Sequence, residues 1–433
     1  MRATPLWKQP RGWLAVIVGS LLAAVITMAY IGPASDPQAN VRDLPLVLVN
    51  ADEGVRAGDS GVRLGSDIST QIERTAHRDG RVAWRTVGSL QAAEQLLARD
   101  EAYAGLVLPR DFSRKAMSLV APDGRPERPT MTVLTNEGAG GVASSMAEKA
   151  ARQTAAETSA SLGTQLTERM QAAKATARPD AARLLLLQDP VRTLTEPGQT
   201  TSGAAAGGSM TLYLTIAVLL AGLLPAMLLT MVVDAALGYG AWEMGPRRTL
   251  RPLVRIARTS TFAAKAGIGA ATGFAAGSAV IAVAVWGLDV EPDQPLQLWM
   301  FAGMACAAIT QLTLALFAVF GMAGQLLALL TVTLLGVPLS GATIPVEAQP
   351  GFAASMGELL PARHVTEGIR SLLFFDGLGS GLGRAWAVLV IYAVGAFLVG
   401  LVVSRLYDRC GFDRATQLEL AQQQPQLPAV AAV

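Results

Sequence analysis

The residues that could do chemistry in this chain are few, and most of them argue for something other than catalysis. The turn Asn50-Ala51-Asp52-Glu53-Gly54 places oxygen donors at alternate positions, an arrangement able to hold a cation. The same residues make an Asx turn, with Asn50 bonding the backbone and Gly54 taking a positive φ, and that is the expected reading. Only two histidines occur, His77 and His364, so a His-rich metal centre is excluded. There is no G-x-x-x-x-G-K-[ST] phosphate loop, no H-E-x-x-H and no G-x-S-x-G. The chain is therefore not expected to be an enzyme, nor to carry a cofactor or metal of its own. What remains is charge. Arg247, Arg248, Arg251, Arg255 and Arg258 lie close together beside Glu243. Arg248, Arg251 and Arg255 fall at i, i+3 and i+7, one face if the segment is a helix. Such a cluster serves a partner protein, lipid phosphates, or both.

The elements around these residues are read from the apolar runs. Six stand out: Trp13–Ile31, Leu212–Val233, Ala263–Leu288, Leu298–Phe320, Leu326–Ile344 and Ala385–Leu406. Each approaches the roughly 20 residues a helix needs to cross a bilayer. The composition agrees, with 51% hydrophobic and 16% charged residues against roughly 25% charged in soluble domains. The net charge of +2 argues against a nucleic-acid binder. The first run is longer than the ~7–15 apolar residues of a signal peptide, so it reads as a retained anchor. Basic residues flank the runs on one side: Arg2, Lys8 and Arg11, the 247–258 arginines with Lys265, and Arg405, Arg409 and Arg414. With six crossings, both termini are then cytoplasmic and residues 33–209 are outside, in the plasma membrane.

Within the membrane part, Gly269, Gly273 and Gly277 make a stripe of close approach, used either inside the chain or at a dimer seam. Pro338 should kink the fifth run. Gln311 and Gln325 serve either interhelical hydrogen bonds or the lining of a substrate path. No Asp, Glu or Arg lies deep inside a run, so coupling to an ion gradient has no support.

The insertion alternates strands and helices. Strands are expected at 44–50, 81–87, 103–108 and 130–135; helices at 61–79, 89–99, after Pro109, and over a long stretch 141–177 whose weak apolar periodicity suggests a stalk or a partner-docking helix. That is an α/β layer fold. It carries neither cysteine: Cys306 lies in an apolar run and Cys410 follows the last one, so the insertion folds without disulfides. Residues 200–209 read as a flexible tether. The expected organisation is a tail and helix over 1–32, an external α/β domain over 33–209, and a five-helix bundle over 210–406. The bundle contains a cytoplasmic loop 234–262 and an external re-entrant hairpin 345–384, and a cytoplasmic tail follows over 407–433.

Three stretches carry a resemblance. LPLVLVNADEGV (44–55) and AYAGLVLPRDFSRKAMSL (102–119) are similar to the YhgE/Pip family. LSGATIPVEAQPGFAASMGELLPARHVTEGIRSLLF (339–374) resembles the last external hairpin of type-2 ABC exporter permeases. The resemblance implies a permease subunit, paired as a homodimer or with a similar permease, and driven by a separate ATPase that supplies ATP and Mg. It implies that Ala241–Arg258 touches that ATPase, with Glu243, Arg247, Arg248, Arg251 and Arg255 as coupling residues. The cargo would be hydrophobic, lipid-like or peptide. A non-transporting scaffold or surface receptor, acting through the external domain in secretion or as a phage receptor, is the other reading.

Overall fold

The computed structural model describes residues 10–57, 60–121, 125–172, 181–199, 208–412, 414 and 416. The chain divides into two compact units. The first holds the residues up to Thr211 together with Gly341–Ser355 and Arg370–Ser380; the second holds Leu212–Ser340, Met356–Ile369 and the residues from Gly381 onward.

The first unit begins with α1 (Pro10–Ser35) and the short α2 (Pro37–Asn40), capped by the Asp36 carboxylate. Next come β1 (Leu44–Asn50), a small hairpin of β2 (Val55–Ala57) and β3 (Ser60–Val62), and α3 (Leu64–Asp79). The order continues with β4 (Val82–Val87), α4 (Leu90–Ala98), β5 (Ala104–Leu108) and α5 (Phe112–Ser118). It ends with β6 (Thr130–Asn136), α6 (Gly141–Ala172), α7 (Ala181–Gln188) and β7 (Arg192–Gln199). The main sheet runs β4-β1-β5-β6-β7 and is parallel except where β5 meets β6. β1 is buried on both faces, which is why it reads as a continuous apolar run. Leu46 and Leu48 face the side of α3, α5 and α6, while Val47 and Val49 pack with Leu96 and Leu97 of α4 on the other.

Two expectations change here. β7 was not foreseen, because its sequence RTLTEPGQ lacks apolar alternation. As an edge strand it needs little, and it tolerates Pro197. The long helix is no stalk: Ala143, Ala147, Ala151 and Ala155 are all buried, and Leu162 and Leu166 continue the stripe. Alanine lets α6 lie close to the sheet while contributing little to apolar periodicity. The Asn50–Gly54 turn is an Asx turn, with Asp52 N donating to Asn50 Oδ1 at 3.2 Å and Gly54 at φ +73°. Asp52 itself accepts from Gly65 N at 3.1 Å and Ser113 N at 2.8 Å, capping α3 and α5 together. The tether lies mostly outside the described residues, and so do most of the two terminal tails.

The second unit is helical: α8 (Met210–Ala236), a hairpin of β8 (Trp242–Met244) and β9 (Arg247–Thr249), α9 (Arg258–Ala282), α10 (Pro295–Phe320), α11 (Met322–Leu329), α12 (Gly336–Leu339), α13 (Gly351–Glu358), α14 (Pro361–Phe374) and α15 (Leu382–Arg409). The middle of α13 and the end of α14 are where the chain changes unit. Among the described residues, five segments are long and apolar enough to cross a membrane: Met210–Ala236, Arg258–Gly287, Pro295–Phe320, Met322–Leu339 and Leu382–Arg409. They make this a multi-pass membrane protein. In α1 a shorter apolar stretch, Ser20–Pro33, is described. Ahead of Pro338, which cannot donate, the helix winds as a π turn over Leu330–Leu334, with Leu335 N donating to Leu330 O at 2.8 Å.

Candidate functional site

Two places gather polar groups beyond what packing requires. The first lies in the α/β unit. The loop between α4 and β5 carries Asp100, held at φ +54°, and Tyr103. Buried Asn136 of β6 fixes this loop by donating to Leu97 O at 3.0 Å and Ala102 O at 2.9 Å, and Tyr103 N donates to Pro45 O at 2.9 Å. Against it lie the two returning segments. Arg370 pairs with Asp100 at 3.4 Å, both side chains nearly buried at 13% and 11% exposed. Arg370 also donates to Gly341 O at 3.2 Å. Tyr103 Oη donates to Glu347 Oε1 at 3.2 Å, and Arg42 N donates to Glu347 O at 2.8 Å. Ser380 closes the set by donating from its backbone to Arg99 O at 3.0 Å. Burial pushes the Tyr103 phenol well above its ordinary pKa; Glu347 and Asp100 add to the rise, and Arg370 opposes it. Tyr103 is therefore a firm donor. The knot joins the 102–119 stretch to the 339–374 stretch, the two parts of the sequence whose resemblance was read separately. Asp100 carried no sequence signal, because one charge in a loop says nothing of a partner more than 200 residues away.

The second place is the arginine loop between α8 and α9. It is not helical. Glu243 pairs with Arg248 in the backbone register of the β8–β9 hairpin, and Arg251 and Arg255 follow where the chain is neither helix nor strand. Gly245, Pro246 and Pro252 explain the correction: they punctuate the segment, so the i, i+3, i+7 face never forms. Arg247, Arg248, Arg251 and Arg255 are all exposed. Leu250, Val254 and Ile256 are exposed among them, at 65%, 41% and 36%. The loop is anchored at both ends. Tyr239 Oη donates to Val254 O at 2.8 Å. Asp408, at the end of α15, accepts from Arg258 N and Thr259 N at 2.9 Å each, capping α9 from another helix. Arg258 stacks on Tyr407, and Arg414 on Tyr239. Behind them, nearly buried Lys265 of α9 meets Asp234 of α8 at 2.7 Å.

The glycine stripe faces α10 of the same chain. A Cβ on Gly269 would fall 2.6 Å from Leu314 Cδ1, on Gly273 2.8 Å from Ala307 Cα, and on Gly277 2.5 Å from Ala302 O. Of the two uses open to it, packing inside the chain is the one seen. Gln311 is buried and donates to Ala266 O at 2.7 Å, an interhelical bond. Gln325 is half-buried in the first turn of α11, and Pro338 is buried in α12. No hydrogen bond among the described residues joins these three into one path.

In α14, Arg363 pairs with Glu367 at 3.0 Å, and His364 Nδ1 lies 3.6 Å from the same carboxylate. Burial works against charge on Glu367, yet His364 and Arg363 outweigh it and hold the carboxyl below its ordinary range.

Among known proteins, the chain is similar to the "Uncharacterized protein YhgE" of Bacillus subtilis (strain 168), at 27% identity over 115 residues. That match covers 27% of this chain and 14% of the relative. The longer match is to a family: over residues 15–398 the chain belongs to the family described as "Protein of unknown function (DUF3533)".

Proposed function

We propose that this chain is the transmembrane permease subunit of an ABC-type exporter, moving a hydrophobic, lipid-like or peptide cargo across the plasma membrane with energy from a separate ATPase. The observation that carries the reading is the arginine loop. It sets exposed arginines among exposed Leu250, Val254 and Ile256 and fixes both ends through Tyr239 and Asp408. Basic residues that only oriented the chain would need no such scaffold and no apolar company; a protein partner uses both. The YhgE/Pip resemblance and the five apolar helices support the same reading. In it the loop is cytoplasmic, α1 is the sixth crossing and the α/β unit is external. The chain itself hydrolyses nothing: ATP and Mg belong to the partner, and two permease chains form the working dimer.

The test is a gentle-detergent purification of the tagged chain, with co-purifying proteins identified and ATP hydrolysis assayed. Arg248→Glu with Arg251→Glu should abolish ATPase association while membrane level and melting temperature stay unchanged. Undiminished association in the double variant would sink the coupling role. Purification with a partner bound to the α/β unit instead, and no ATPase, would favour the scaffold or receptor reading.

A further inference from the structure

The α/β unit contains a crevice whose lining includes no residue of the Asp100–Arg370 knot. It lies between α3 and α6, over the β1 and β4 end of the sheet, with a volume of about 240 Å³. Its floor is apolar: Leu44, Ile68 and Ile72 are buried, and Val82, Trp84 and Met146 are half-buried around them. Its walls are short side chains, Ala76 and Thr75 from α3 and Ala150 and Thr154 from α6. The helices approach again near Gln71, whose Nε2 reaches Ser161 Oγ at 3.5 Å. At its rim stand Arg81 and Lys149, together with Asp79 and Glu157.

An apolar cavity of ~150 Å³ already accepts benzene, so this crevice is large enough for several carbons of a chain. An apolar floor under a rim of both charge signs does not suit an inorganic anion or a sugar. It suits a single hydrocarbon chain with an uncharged or zwitterionic head. Gln38 and Val41, which also line it, follow directly on the apolar helix α1. The opening therefore lies a few residues along the chain from a segment that prefers hydrocarbon.

We infer that the crevice between α3 and α6 binds the hydrocarbon chain of a single-chain amphiphile, its zwitterionic head held at the Arg81, Lys149, Asp79 and Glu157 rim. The site stands on the α/β unit alone and holds whether or not the chain transports. The occupant is a lysophospholipid from the membrane; a free fatty acid from solution would bring a carboxylate head, which the mixed-charge rim does not suit.

The full chain, in vesicles of phosphatidylcholine and phosphatidylglycerol, is photolabelled with a diazirine-bearing lysophosphatidylcholine, and the labelled peptides are mapped. Labelling should fall on the peptides containing Ile72, Trp84 and Met146. Unlabelled lysophosphatidylcholine should compete for it. Ala150→Phe, which fills the crevice, should lower it at least tenfold without changing labelling of the membrane helices. Ala76→Phe fills the crevice from the opposite wall and serves if the first variant is poorly folded. A fatty acid of equal chain length that competes at least as well assigns the head to a carboxylate and overturns the zwitterionic rim. Labelling confined to the membrane helices, or unchanged in both filled variants, overturns the site.

Discussion

The two units solve the same packing problem with opposite residues. The sheet of the α/β unit is covered by large side chains, among them Leu48, Leu106, Phe112, Met131 and Leu162, each almost or wholly buried. The helical unit brings its backbones together through small ones: Gly222 lies against Ile309, Gly273 against Ala307, Gly303 against Phe274 and Gly400 against Phe262. Water supplies the reason. In the α/β unit apolar area leaves water, at roughly 25 cal/mol per Å², so large side chains stabilise most. Between helices in lipid that drive is missing, and close van der Waals approach and interhelical hydrogen bonds take its place. Thr310 donating to Gly222 O at 2.9 Å and Gln311 donating to Ala266 O at 2.7 Å are examples, and both need the approach that small residues permit.

The comparison breaks most severely where a side chain is added to the closest approach. Gly277→Leu would drive a side chain into the Ala302 backbone, which cannot step aside. The effect should exceed the roughly 1–3 kcal/mol of ordinary overpacking and appear as loss of monodisperse protein on size exclusion in detergent. Gly267→Leu is the control, since nothing lies within 4 Å of a Cβ there and the residue is exposed. A normal elution for the Gly277 variant would mean that α9 and α10 are not held by close approach.

Charge sharpens the contrast at a smaller size. Arg370→Met leaves Asp100 nearly buried and without its cation, at a cost of about 3 kcal/mol. Thermal unfolding followed by tryptophan fluorescence should show it as a lower melting temperature. Adding Asp100→Asn to Arg370→Met should recover part of the loss, because the stranded charge is then gone. If the double variant is no better than Arg370→Met, the pair is not the source of the cost. Arg248→Glu with Arg251→Glu, on an exposed loop, should leave the same melting curve unmoved.

What the sequence disclosed follows from how each element is held. The strands at 44–50 and 104–108 were legible because burial on both faces demands an unbroken apolar run. α6 was legible as a helix but not as a packed one, because alanine fills a close contact while carrying little apolar signal. β7 was hidden by its edge position. The arginine loop was legible as a basic cluster and misread as a helical face, since spacing alone does not weigh the prolines at 246 and 252. The knot of Asp100, Tyr103, Glu347 and Arg370 was partly visible. Tyr103, Glu347 and Arg370 sit in stretches that resemble known families, but only the fold shows that those stretches meet.

The smallest effect tests the knot's neutral member. Tyr103→Phe removes one hydrogen bond to Glu347, worth about 1 kcal/mol, and should shift the melting temperature only slightly at neutral pH. Its signature is the pH dependence. In the folded protein the phenol's pKa lies well above the ordinary 10.0, so the native state holds this proton more tightly than the unfolded chain does. The stabilisation is fully present below the unfolded value and is lost as pH rises through the folded one. Wild-type stability should therefore fall as pH rises above about 10, and Tyr103→Phe should flatten that fall. Equal slopes for the two proteins would mean that Tyr103 reaches solvent in the native state and that the knot is open.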